Sequence, residues 1–520
     1  MTQLISSTSK AIVLIITSFT LGVVSLDAAQ TSSGSLKPNT QKIANYTADT
    51  YKLAAKNALA EMVAIETVNY PEQTLFQNPA FEEFRNWVKQ KASVLNLDFS
   101  DHGSVLIVSM GTGEKKLGLI THGDVQPANP SKWRQSPFSL DDSSEPGKWI
   151  GRGTEDDKGP IAAALYAMKS LKDQNINLSG KVELFIYMAE ESDWKPLTKF
   201  LENYQPAPIN IALDSEYPVV TAEKAWSSIT LNFGTLGIEE LTEQTKPILI
   251  SFKGGSFRSQ IPEEAIAATG QLKQAQIEEI ERKLISFKEN FGIDFTITPI
   301  GDRHIITVKG LSAHSSKPEQ GVNAINFLAA SLSDINWSPT PSSQLVKLID
   351  DLVGTGYLAK KFGSIAYEDE FMGPLTLSPT LVNKNSDNQL ELFINLRRPK
   401  GKSEKQLNEE INIALKNWQQ FNSELKYQVY VGQPYWLEQA PHVPKLLNIF
   451  ATFTNTISPQ PIAIGGSTNA KLFPQAVSFG PSMPNTPYTG HSEKEYITEE
   501  NFTLTLKMYT AMIYELATGN

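Results

Sequence analysis

Four apolar segments of this chain each run into an acidic or imidazole side chain, and that recurrence constrains the fold more than any bulk property. Leu117–Ile120 leads through Thr121 into His122-Gly123-Asp124, Val182–Met188 into Ala189-Glu190-Glu191, and Ile209–Leu213 into Asp214. Ala476–Phe479 leads through a glycine-proline loop to His491. Short apolar runs bounded by such turns read as buried strands. Between the first two lies the glycine-rich turn GRGTEDDKG at 151–159, which sets Asp156 just ahead of a helix over Pro160–Leu171. Pro160 suits the first turn of that helix, where its missing N–H costs nothing. Further helical spacing covers Tyr51–Ile65, Phe81–Val94 and Asn501–Ala517. Strands alternating with helices predict a mostly parallel sheet sandwiched by helices. Open sheets of this kind gather their functional groups at the carboxyl ends of strands.

The pattern changes after residue 225. SSITLNF, PILISF, DFTITPI and HIITVKG alternate with period two, QLKQAQIEEIERKLISFKENF between them is helical, and DNQLELFINLRRP reads as a last strand. The expected architecture is α/β, a catalytic domain interrupted by an inserted α+β domain. Its parts are 51–224 and 404–520 for the catalytic domain and 225–403 for the insertion. Length agrees, because 520 residues exceed what one ordinary core holds.

Lys10 precedes an uncharged stretch from Ala11 to Leu26, followed by the small and polar DAAQTSSGS. That reads as a signal peptide over 1–28, cut after Ser25 or Ala28, since a membrane span needs ~20 apolar residues. Residues 29–50 read as a flexible leader. The chain has no cysteine, which excludes disulfides, thiolate ligands and a cysteine nucleophile. Export to a bacterial periplasm or exterior is the expectation. A net charge of -10, with no basic tract, argues against a nucleic-acid or anionic-membrane partner, and no integral membrane partner is implied.

Singly, the polar residues at these strand ends are ordinary. A Glu-Glu doublet is commonly solvated surface, and a lone histidine is commonly structural. Two of the six histidines, however, fall in matching strand-end contexts beside carboxylates. Two histidines and three carboxylates suit a pair of divalent ions about 3.5–4 Å apart, bridged by a carboxylate and a water. One glutamate must then stay off the metals to take a proton from that water, and adjacent Glu190 and Glu191 divide those tasks. Asp124, two residues after His122, is placed to hold its ring. Zinc suits a His/carboxylate set, and cobalt and manganese tolerate it.

These motifs resemble the dinuclear zinc peptidases that include carnosinase, aminoacylase, succinyl-diaminopimelate desuccinylase and the bacterial Xaa-His dipeptidase, in order over nearly all of the chain after the leader. The resemblance implies a zinc exopeptidase-like fold with a lid. It implies that His122 and Asp214 hold one zinc, Glu191 and His491 the other, and that Asp156 bridges them. Glu190 matches the general base and Asp124 the aspartate that orients the histidine. KGLSAHSSKPEQGVNAI is similar to the lid motif whose histidine, here His314, binds substrate and polarises its carbonyl. Arg397 in NLRRP matches an arginine that takes the substrate carboxylate, with Arg398 beside it as the alternative. IGGSTNA resembles the loop lining the pocket, where Gly465, Gly466, Ser467 and Thr468 offer backbone N–H groups to a carboxylate.

Asp214, where deacylases of the family have glutamate, and the phrases EESDWKPL and LDSEYPVV resemble the Xaa-His dipeptidase branch. The long insertion resembles the monomeric arrangement, with the lid histidine acting in its own chain. The implied function is a zinc-dependent dipeptidase acting on dipeptides or short peptides. Its rivals are an amidohydrolase of N-acyl amino acids and an exported peptide-binding relative without turnover. The chain departs from the branch at Ser259, Asp193, Asn469 and Lys471, the last two standing where Tyr and Arg are usual. Those departures bear on substrate preference and leave the metal ligands untouched.

Overall fold

The computed structural model describes residues 34–519, apart from 71–72, 74–76, 237–245, 423–424 and 438. The expected signal segment, and 29–33 of the expected leader, lie outside the described residues. From residue 40 that leader is not loose. A helix runs Thr40–Val63, beginning well before the expected Tyr51. Its early turns bury Ile43 and the small or polar Ala44, Thr47 and Ala48, whose helical spacing a Ser/Thr/Asn/Gln-rich composition conceals.

Among the described residues the first layer is a nine-stranded mixed sheet. Its centre is parallel, with strands Lys181–Tyr187, Lys115–His122, Asn210–Ala212 and Ala476–Ser478 side by side in that order. Antiparallel strands flank the centre, Val105–Met110 and Asp98–Asp101 on one side, Val220–Glu223 and Tyr435–Trp436 on the other. The sheet is thus parallel where its strands carry the polar ends and mixed at its margins. Side chains alternate along each strand because the pleat has period two. Val182, Leu184 and Ile186 join the core made with helices Thr40–Val63, Lys158–Asp173 and Glu499–Ala517. Phe185 and Tyr187 point to the other face, under Leu197 and Phe473.

The insertion is an eight-stranded sheet, antiparallel throughout, with its own core. It extends past the expected boundary at 403. Helix Glu404–Gln419 buries Leu407, Ile411, Leu415 and Trp418 in that second core, and strand Lys426–Tyr430 pairs with Ala225–Asn232. The chain rejoins the first sheet at Tyr435–Trp436. A helix followed by a strand reads alike in either layer, so local pattern could not locate the return. Among the described residues no helix is long and apolar enough to cross a membrane.

Candidate active site

Because the central strands are parallel, their carboxyl ends lie along one edge, and groups remote in sequence meet there. His122 is the last residue of its strand, Glu190 and Glu191 follow Tyr187 in a turn, and Asp214 stands just past Ala212. Asp156 precedes the helix that begins at Lys158, and His491 lies in the loop after Ala476–Ser478. Asp156 stands between the two imidazoles. Its Oδ1 is 2.8 Å from His122 Nε2 and its Oδ2 is 3.1 Å from His491 Nε2. His491 Nε2 is also 2.8 Å from Glu191 Oε1, and His122 Nε2 is 3.7 Å from Asp214 Oδ2. All five expected metal ligands therefore converge, with Glu190 alongside.

Two triads of ligand atoms lie within 4.8 Å of one another, His122 with Glu190 and Asp214, and His122 with Asp156 and Glu191. Asp156, Glu191 and Asp214 form ion pairs among the described residues with the two imidazoles alone, and Glu190 lies in a group with His122 and Asp214. Burial, then the neighbouring carboxylate charges, pushes Glu190 and Asp214 well above the usual carboxylate range. Burial opposes ionisation of Asp156 too, yet the His122 and His491 rings hold it well below that range. Four clustered acids facing two imidazoles make an excess of negative charge that divalent cations would neutralise. Nitrogen and oxygen donors without thiolate fit zinc, cobalt or manganese.

Around this cluster the loops are tied to one another. Asp124 Oδ1 accepts from the Glu190 N–H at 3.0 Å and Oδ2 from the Glu191 N–H at 3.1 Å. Its main-chain oxygen lies 3.0 Å from His122 Nδ1, so the residue orients the ring chiefly through its backbone while its carboxylate fixes the glutamate turn. Asn69 Nδ2 donates to Asp124 Oδ2 at 2.9 Å. Glu155, next to Asp156, accepts from Ser482 Oγ, Thr489 N and Oγ1, and Gly490 N at 2.7–3.2 Å. Glu495 answers from the His491 loop, accepting from the Glu155 and Asp156 N–H groups and pairing with Arg152 at 2.8 Å. These two buried carboxylates clasp the loop of Asp156 to that of His491. A removed partner would leave buried donors unsatisfied at about 1–3 kcal/mol each.

The insertion brings its expected residues to the same edge. His314 pairs in a short strand with Gln260, and its ring centroid lies 5.1 Å from that of His491. Burial, then the charges of His491 and Arg397, holds its pKa well below the ordinary histidine value. Ser316 N donates to His314 Nδ1 at 3.3 Å, which leaves the ring proton on Nε2 as a donor. Arg397 is buried, and Nε and Nη2 reach Asn395 Oδ1 and Ser315 Oγ at 3.1 and 2.9 Å. Arg398 is spent on the Gly432 and Lys402 carbonyls, so Arg397 is the arginine that remains on the site side.

Gly465 packs against the same loop. A Cβ there would fall 2.2 Å from Ser316 O, so only glycine lets the two loops approach. Gly466 follows in the same turn, and Ser467 Oγ donates to Lys224 O at 2.8 Å. Thr468 does not serve as expected. Its N–H and hydroxyl both go to Glu223, at 2.9 and 2.7 Å, which makes it a buried tie within the fold and takes its donors away from any substrate.

Several neighbours escape sequence reasoning. Tyr488 donates to Asp156 Oδ2 at 2.6 Å, and Gln126 Nε2 to Glu191 Oε2 at 2.8 Å. Glu155 lies inside the turn GRGTEDDKG and Glu495 four residues after His491, but an acid in a polar loop carries no sign of burial.

A family model described as peptidase family M20/M25/M40 matches residues 118–515. The chain is 28% identical over 440 residues to YtjP of Bacillus subtilis (strain 168), covering 82% of this chain and 88% of that one. It is 27% identical over 415 residues to the beta-Ala-Xaa dipeptidase of Lactobacillus delbrueckii subsp. lactis, covering 79% of this chain and 83% of that one. The fold matches that of human carnosine dipeptidase 1 with a TM-score of 0.56 at 14% identity, over 93% of this chain and 99% of that one.

Proposed function

The chain belongs to peptidase family M20/M25/M40, and we propose that it is a two-metal dipeptidase with Glu190 as general base. One observation carries this reading. A single carboxylate, Asp156, reaches both imidazoles through its two oxygens while Glu190 stands beside them. In line with the family resemblance, His122 and Asp214 would hold one ion and His491 and Glu191 the other, with Asp156 placed to reach both. Glu190 is then the remaining acid. The dipeptidase name of the Lactobacillus relative supports the choice of substrate class.

Divalent ions held there supply a Lewis acid for the scissile carbonyl and lower the pKa of the attacking water. The rest of the chemistry falls to the chain. Glu190 takes a proton from the attacking water and returns it to the leaving amine. Its clustered, buried setting raises its proton affinity toward that task. His314, neutral with its proton on Nε2, donates to the carbonyl oxygen as negative charge develops, a contact of the kind worth about 3–4 kcal/mol. Arg397, with no carboxylate partner among the described residues, takes the terminal carboxylate of the peptide, for which its planar fork is suited. The insertion acts as a lid that carries both groups.

The test is a panel of unmodified dipeptides and N-acyl amino acids on purified protein, before and after chelation and after zinc is restored. Dipeptide cleavage that chelator abolishes and zinc restores is the expected outcome. Cleavage of the acylated compounds alone, or of dipeptides at full rate in chelator, would overturn the reading.

A further inference from the structure

We infer that Lys471, together with Arg397, forms a subsite for a second negative charge on the substrate, so that the preferred peptides end in aspartate or glutamate. The inference rests on the dipeptidase reading above and adds the class of peptide. Lys471 lies on the short turn Asn469–Leu472, which caps the face of the sheet beside Glu190. Its ammonium sits 4.6 Å from the centroid of the Trp194 ring, and among the described residues it makes no hydrogen bond or ion pair. Trp194 is itself held to the Glu190 turn, its Nε1 donating to Glu190 O at 2.6 Å. The aromatic face thus aims a cation at the reaction centre.

The charges nearby identify the ligand. Lys471 feels Glu223, Glu190 and Arg397. Glu223 is already engaged by Thr468, and Glu190 faces the metal ligands. Among the described residues Lys471 and Arg397 are therefore two cations without a carboxylate partner. A desolvated cation without a carboxylate partner is stabilised by an anion beside it. Arg397 accounts for one carboxylate. A peptide whose C-terminal residue carries a side-chain carboxylate offers its main-chain carboxylate to Arg397 and its second to Lys471, which describes a C-terminal Asp or Glu.

The same turn offers a further polar group. Asn469 Nδ2 lies 3.4 Å from Glu190 Oε1, which leaves its Oδ1 buried with no partner. The orphaned oxygen suits a peptide N–H, so cation and acceptor on one turn match the two ends of a single acidic residue.

The test compares Ala-Glu with its neutral isostere Ala-Gln, and with Ala-Lys, on the zinc-loaded protein and on Lys471→Met and Lys471→Arg. The wild-type protein is expected to favour Ala-Glu over Ala-Gln at least tenfold in kcat/KM. Lys471→Met should cut that ratio to near unity, mainly through KM, and Lys471→Arg should keep most of it. Equal kcat/KM for Ala-Glu and Ala-Gln, or a ratio that Lys471→Met leaves intact, overturns the subsite while the dipeptidase reading stands. Failure to cleave any of the peptides overturns both.

Discussion

Glu190 and Glu191 are adjacent, chemically alike and surrounded by the same acids, yet geometry divides their work. Glu191 is engaged from two sides, by His491 at 2.8 Å and by Gln126 at 2.8 Å. Glu190 meets Asn469 at 3.4 Å and otherwise faces the His122 side of the cluster. A group bound only loosely in this way is free to accept and release a proton, which a metal ligand is not. Glu190→Gln should therefore retain both metals by elemental analysis while losing about a hundredfold to ten-thousandfold in kcat. Glu191→Gln should instead lose metal. If Glu190→Gln came away with one ion per chain, the roles of the two residues would have to be exchanged. The pair was legible in the sequence because an apolar strand runs straight into it. Tyr488 and Gln126 were not, since nothing local distinguishes a tyrosine or glutamine that touches a metal ligand from one on the surface.

At the scale of single elements, the strands that carry the site were readable from short apolar runs, and their observed ends fall within a residue or two of those expected. The first helix was misread in its opening turns because Ala and Thr pack as well as Leu where three helices approach closely. Helix Val443–Thr454 holds a feature that no pattern announces. His442 at its N-terminus is buried, and among the described residues neither ring nitrogen has a hydrogen-bond partner. Burial brings its pKa from 6.5 down to about 4. The folded chain thus keeps the ring neutral while the unfolded chain protonates it as pH falls below 6.5. Between the two values the unfolded state binds more protons, so stability drops as pH falls, and the loss ends near pH 4. From pH 7 to pH 5 this residue should cost about 2 kcal/mol. His442→Leu should remove that share, so in urea unfolding the variant should gain about 2 kcal/mol on wild type between pH 7 and pH 5. An offset between them that does not change with pH would remove His442 from the acid response.

For the whole molecule, the two-layer plan was legible because periodicity switches from buried runs to strict alternation near residue 225. The return was not, because helix Glu404–Gln419 and strand Lys426–Tyr430 obey the same local rules as the elements of the first layer, and only pairing with Ala225–Asn232 assigns them to the second. The longer insertion matters for the reaction. Gly465 of the first layer meets Ser316 of the second at a distance no other residue allows, and that contact carries His314 to within 5.1 Å of His491 in the same chain. One chain thereby holds the proposed base, the proposed ligand set and the proposed carbonyl donor. A site shared between copies would behave differently under mixing. His314→Ala and Glu190→Gln each disable one function, and a shared site would be restored wherever an intact His314 from one chain met an intact Glu190 from the other. With the site complete in one chain, a mixture of the two variants, refolded together to allow exchange, should show no more kcat than the average of the two measured apart. Activity that rises with the mixing ratio and peaks at equal amounts would show that a second copy supplies His314.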